Sequence, residues 1–155
     1  MKLIIDFSIS IMRNLIEIDA VVFRRISDNV QYLLIKRTEK LGNFWQFVTG
    51  GNEGKETLIE TLKRELKEEL SITENQIKSI IENVHYFEWL TKSNELIKEY
   101  CFGVEINSDA DIKLSEEHDE FKWCNIEEAI RLLKWDGNRT AVFKLNEILK
   151  SHKFF

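Results

Sequence analysis

Residues 50–72, reading GGNEGKETLIETLKRELKEELSI, constrain the fold most tightly because they combine leucines at every fourth position with three glutamates inside one helical turn. With about 3.6 residues per turn, a helix over Glu56 to Leu70 has three faces. Leu58, Leu62, Leu66 and Leu70, with Ile59 beside them, form the apolar stripe that a helix turns towards a core. Lys63 and Lys67 fall on the side away from it. Glu65, Glu68 and Glu69 stand at i, i+3 and i+4, so their carboxylates converge on one flank, next to the stripe.

Carboxylates this close repel one another, and a cation offsets that cost. Arg64 reaches Glu68 at i+4, yet one arginine cannot neutralise three acids. Clustered hard oxygen ligands are what Mg2+ or Mn2+ prefers, usually completed by water and substrate phosphates. A solvated acidic face explains the same glutamates, and the helix alone favours that plainer reading.

The complete pattern changes the balance. It runs Gly50, five residues, Glu56, seven residues, Arg64-Glu65-Leu66, one residue, Glu68-Glu69, one residue, Ser71-Ile72. This resembles the Nudix box, with Ser71 in place of the second glycine. Glycine at that point leaves a helix in a left-handed conformation without a Cβ penalty. Serine does so less readily, so the expected consequence is an altered helix exit with every carboxylate retained.

The resemblance implies an α/β fold of the Nudix type, an α/β/α sandwich with a central mixed β-sheet, in one domain over residues 1–155. The pattern along the chain agrees. Ile16 to Arg25 and Val30 to Arg37 read as strands joined by the turn residues Ser27-Asp28-Asn29. Phe44 to Thr49 reads as a short strand feeding a Gly50-Gly51 turn. Ile80 to Leu90, Glu99 to Ile106 and Glu120 to Cys124 read as further strands, and Ile126 to Leu133 and Arg139 to Lys150 as helices. Five or six strands with helices on both faces follow. The absence of proline, repeats and low-complexity segments leaves no domain boundary.

A net charge of −5 argues against a nucleic-acid surface, so phosphate has to be held locally, by metal. The opening MKLIIDFSISIM is interrupted by Asp6 and reads as an N-terminal strand or arm, not a signal peptide. No run reaches the roughly 20 apolar residues of a membrane span, and a cytoplasmic monomer or homodimer is expected. Cys101 and Cys124 read as core thiols. His85, His118 and His152 are scattered, and none is given a role.

Two flanking patches narrow the resemblance. The lead-in FWQFVTGG, residues 44–51, and the distal EHDEFKWCNIEEAIRLLKWDGNRTAV, residues 117–142, are similar to the bacterial dihydroneopterin triphosphate pyrophosphohydrolases within the family. The implied activity is Mg2+-dependent hydrolysis of a small-molecule triphosphate to the monophosphate and pyrophosphate, in folate biosynthesis. Carried over by position, Glu65, Glu68, Glu69 and Glu117 would be the metal ligands. Glu116, Asp119 and Glu120 are competitors for the distal place. Glu65, Glu68 and Glu69 would be catalytic, and Arg64 a support that orients them.

Substrate contacts would come from Arg37, Thr49, Gly50 and Asn138, with one or two of Trp45, Tyr86, Phe87 and Trp89 stacking on the ring. Plainer roles exist for each: Arg37 as a surface charge beside Lys36, Thr49 as a strand residue, Asn138 as a cap, the aromatics as core. Glu56 would cap the loop or support the cluster. Other nucleoside triphosphates and dinucleoside polyphosphates are alternative substrates, although Val48-Thr49-Gly50 differs from the lysine-glycine-histidine lead-in of enzymes acting on dinucleoside polyphosphates. A non-catalytic nucleotide-binding domain is disfavoured by the intact glutamates.

Overall fold

The computed structural model describes residues 14–151, so the expected N-terminal strand or arm and His152 lie outside the described residues. The strands are β1 (Asn14–Ile26), β2 (Asn29–Arg37), β3 (Trp45–Gln46), β4 (Val48–Gly51), β5 (Ile77–Leu90), β6 (Leu96–Ile106) and β7 (His118–Cys124). The helices are α1 (Leu58–Leu70), α2 (Ile126–Leu132) and α3 (Asp136–Ser151).

The seven strands among the described residues form one sheet of order β3-β2-β1-β6-β5, with β4 also pairing β1 and β7 pairing β2. The β1–β6 ladder is parallel and the others are antiparallel, which makes the sheet mixed. The β1–β2 hairpin turns as expected, with Ser27 at φ 55°.

Period-two alternation splits the core between the two faces. Ile18, Ala20, Val22, Leu33, Ile35 and Val48 pack with Leu62, Leu66 and Leu70 of α1. Val21, Phe23, Tyr32 and Leu34 pack with Ala129, Ala141, Val142 and Leu145 of α2 and α3. Each fully buried leucine of the α1 stripe contributes roughly 1.5–3 kcal/mol. That burial fixes which way the glutamate flank points.

Several boundaries depart from expectation. Phe44 to Thr49 is not one strand: Trp45–Gln46 pairs with β2 and Val48–Gly51 with β1. Gly50 and Gly51 are therefore strand residues, and the turn glycine is Gly54 at φ +54°. The first helix starts at Leu58, not Glu56, because Thr57 and Glu60 form a capping box that satisfies the first free N–H groups. At its far end Ser71 adopts φ 61°, ψ 30°, and Ile72 N donates to Leu66 O at 3.2 Å. Serine thus takes the left-handed exit that glycine would take, and the helix still closes.

Candidate active site

Strand β4 links the two faces. Gly50 lies opposite Ile18 and Thr49 opposite Asp19, so Gly50 faces α1 and Thr49 faces α3. A Cβ on Gly50 would stand inside the Glu65 carboxyl group. Glycine is what lets that carboxyl lie against the strand. Burial pushes Glu65 up to about 7; Arg64 opposes the shift, while Glu68 and Glu69 add to it.

Arg64 braces this flank. Its Nε donates to Glu56 Oε2 at 2.7 Å, Nη1 to Glu65 Oε1 at 2.8 Å, and Nη2 to Gly51 O at 2.7 Å. Exposed Glu68 is 3.3 Å from Nη1. Glu56 also accepts from Glu53 N at 2.9 Å and Thr61 Oγ1 at 3.1 Å, and the Arg64 contact above all holds it down at about 2. The loop before α1 is thereby tied to the glutamate helix.

Glu69 faces the other way, towards the segment entering β7. Ser115 Oγ donates to Glu69 Oε2 at 2.8 Å, and His118 Nδ1 lies 3.1 Å from the same oxygen. The His118 contact, then Ser115 and the nearby charge of Arg37, hold Glu69 below the usual carboxylate range. Ligand atoms of Glu69, Glu117 and His118 all lie within 4.8 Å of one another. His118 Nδ1 is buried with no well-formed hydrogen bond, while Nε2 is 3.0 Å from Gln46 Nε2. The Glu69 and Glu117 carboxylates are the hard oxygen ligands that Mg2+ or Mn2+ prefers, and His118, in contact with Glu69, stands beside them.

Of the four expected ligands, then, Glu69 and Glu117 come together, whereas Glu65 and Glu68 are engaged by Arg64. His118, given no role from sequence, joins them. The signal was its place directly after Glu117. Arg37 lies opposite His118 where β2 pairs with β7.

On the opposite face, Thr49, Trp89 and Asn138 converge on two acids that the sequence did not single out. Asn138 Nδ2 donates to Asp19 Oδ2 at 3.0 Å, and Cys101 Sγ is 3.6 Å from the same oxygen. Trp89 Nε1 donates to Glu99 Oε1 at 2.7 Å. The Asp19 and Glu99 carboxyls bond to each other, and Glu17 adjoins Glu99. Burial raises all three, Glu17 to about 7. The available signal was a carboxylate inside each of two strongly apolar strands, at Asp19 and Glu99.

Phe87 sits opposite Glu99 in the β5–β6 register and packs against Gly137. Tyr86 does not join it: alternation sends Tyr86 to the other face, 4.8 Å from the Tyr100 ring. Trp45 bridges to Leu133 and packs on the α2–α3 side. Asn138 is a buried residue of the first turn of α3 rather than a cap.

The NUDIX domain model matches residues 16–145. The chain is 34% identical over 113 residues to an octanoyltransferase of Myxococcus xanthus, covering 71% of this chain but only 30% of that protein's length. It is 27% identical over 129 residues to a bis(5'-nucleosyl)-tetraphosphatase (asymmetrical) of Caenorhabditis elegans, covering 83% of this chain and 92% of that one. A crystal structure of C. elegans Ap4A hydrolase matches with TM-score 0.80 at 23% identity over 88% of this chain and 98% of that one, which shows the fold. The E. coli dihydroneopterin triphosphate pyrophosphohydrolase matches with TM-score 0.70 at 26% identity, over 84% and 95%. The similarity therefore does not single out the pterin enzyme over the tetraphosphatase.

Proposed function

The chain belongs to the NUDIX domain family, and from that premise we propose that it is a Mg2+-dependent pyrophosphohydrolase of a nucleoside-triphosphate-like substrate, with dihydroneopterin triphosphate the foremost candidate. At the coarser level it is a hydrolase acting on phosphoanhydride bonds. The observation that carries the metal-dependent reading is the meeting of Glu69, Glu117 and His118 beside a glutamate flank braced by Arg64.

Glu69 and Glu117 would hold a divalent cation there, and the chemistry it would supply is charge neutralisation at phosphate oxygens and acidification of water. Glu65 lies against Gly50 with its proton affinity raised, as suits a group that accepts a proton from attacking water near neutral pH. Arg64 fixes the direction of Glu65 through a 2.8 Å hydrogen bond. Arg37, next to His118 in the β-ladder, offers a planar fork to a phosphate.

The pterin substrate is supported by the FWQFVTGG lead-in, the distal E-H-x-x-F-K-W and N-R-x-A patches, and the likeness to the E. coli enzyme. Dinucleoside polyphosphates are the second reading, favoured by the relative that the chain matches over 92% of its length. A panel of dihydroneopterin triphosphate, canonical and oxidised dNTPs, and diadenosine tetraphosphate with Mg2+, products separated, decides between them. A preference of about tenfold or more for another member overturns the pterin reading. Cleavage of none overturns the hydrolytic one.

A further inference from the structure

Gln46 is 7% exposed and belongs to the FWQFVTGG lead-in, yet none of the hydrolytic steps above uses it. It pairs with Ile35 of β2, a residue of the α1-side core, so its side chain turns to the face that carries the glutamate helix. Two residues further along β2, Arg37 lies opposite His118 of β7. The two side chains meet across β2: Gln46 Nε2 is 3.0 Å from His118 Nε2, and both groups are buried. An amide aimed at a ring nitrogen in so dry a place is a selective contact, because it fits one placement of the ring proton and not the other.

Both ends of the ring point to the same placement. Nδ1 lies 3.1 Å from Glu69 Oε2, and a ring nitrogen facing a carboxylate offers it a proton. In a neutral imidazole the other nitrogen then carries a lone pair, which is what the Gln46 amide meets at Nε2. The contact at Nδ1 is close without being well formed, so the aim of the ring depends on what holds its far side. Ser115 Oγ donates to the same Glu69 oxygen at 2.8 Å, and Ser115 N donates to the Glu69 backbone carbonyl at 3.1 Å. The segment entering β7 thus grips one carboxylate oxygen of Glu69, and neither side-chain donor engages Oε1.

We propose that Gln46 is a positioning residue for the cation site. Its amide donates to His118 Nε2, which leaves the ring proton on Nδ1, where it holds Glu69 Oε2 and leaves Oε1 as the oxygen available to a cation. Gln46 acts only through His118. Partners of this kind fix the tautomer and direction of a group beside a metal, and losing one typically lowers metal affinity about 10–100-fold. The position therefore needs a donor. A side chain of similar volume without one, such as methionine, leaves Nε2 unpaired and lets the ring proton move to it.

The proposal rests on the reading of Glu69 as a cation ligand, but its first test does not. Long-range proton–nitrogen correlation spectra of the isotope-labelled full chain, without metal or substrate, read the tautomer of each histidine. The His118 signals are those lost in His118→Asn. The wild type is expected to carry the His118 proton on Nδ1 alone, and a proton on Nε2 overturns the proposal without any variant having to fold.

Mn2+ titrated calorimetrically into the chain is the second test, and it requires no cleavage. Gln46→Met, shown to be folded by its melting curve, should bind Mn2+ about tenfold more weakly than the wild type. His118→Asn keeps a donor towards Glu69 that needs no tautomer, so adding Gln46→Met to it should change Mn2+ affinity by less than about twofold. A merely structural Gln46 would weaken binding alike in both backgrounds. That result, or unchanged affinity in Gln46→Met alone, overturns the proposal. A wild type that carries the Nδ1 proton yet binds no Mn2+ overturns the cation reading on which the proposal rests.

Discussion

Glu65, Glu68 and Glu69 occupy one turn of α1 and are met by the protein's own cation, Arg64, together with His118 across the gap to β7. Asp19 and Glu99 lie on neighbouring strands, come together only because β1 and β6 pair in parallel, and meet neutral donors. In the first group charge divides neighbours: Glu69 is held down by His118 and Ser115, while burial raises Glu65 against the pull of Arg64. In the second, burial raises both acids together with Glu17. The helix therefore keeps carboxyls of unlike proton affinity side by side, and the paired strands keep carboxyls that are all raised.

Breaking the charged side should cost most. Glu69→Gln is expected to lower kcat by on the order of a hundredfold or more with the fold intact, read from steady-state kinetics beside a melting curve. Near-normal turnover would remove Glu69 from the site. Gly50→Ala forces the Glu65 carboxyl off β4 and should lower kcat somewhat less, since the acid survives in a worse position.

Arg64→Lys keeps a charge but loses the fork that joins Glu56, Glu65 and Gly51. A loss of about 10–100-fold is expected, as for groups that orient ligands. An unchanged rate would show that the glutamates hold their places unaided.

The dry side shows itself in pH. Glu17, Asp19 and Glu99 have raised proton affinities in the folded chain. Between the ordinary carboxylate range and their folded values the native state binds more protons than the unfolded state. Their stabilisation is complete below the ordinary carboxylate range and is lost as pH rises through about 7 for Glu17 and about 8 for Glu99. The melting temperature should fall across that window, and Glu99→Gln should flatten the slope. A flat wild-type profile would contradict a dry acid cluster.

The smallest effect belongs to Ser71→Gly. Relief of the left-handed serine should add about 1 kcal/mol of stability with turnover nearly unchanged. A large gain in rate would mean that the helix exit governs the site.

What was legible in the sequence followed from local spacing. The α1 stripe, its glutamate flank, the β1–β2 hairpin and the cost at Ser71 are all set by residues a few positions apart. Glu117 was legible through resemblance, and the structure sets it beside Glu69. The split of Phe44 to Thr49 was not, because it depends on β1 and β2 diverging and taking different partners. Nor was the role of Gly50, which depends on where α1 packs and not on a turn. Asp19, Glu99 and His118 escaped notice for the same reason: each looks ordinary until the sheet register brings its partner alongside. Tyr86 shows the converse, since a single step of strand alternation separates it from Phe87.

Cation-dependent cleavage of an anhydride is tested most directly by a chelation experiment on the wild-type chain. Turnover of a cleaved triphosphate should vanish with chelator, return with Mg2+ or Mn2+, and release pyrophosphate together with the monophosphate. Turnover that survives chelation, or release of single phosphates, would contradict it.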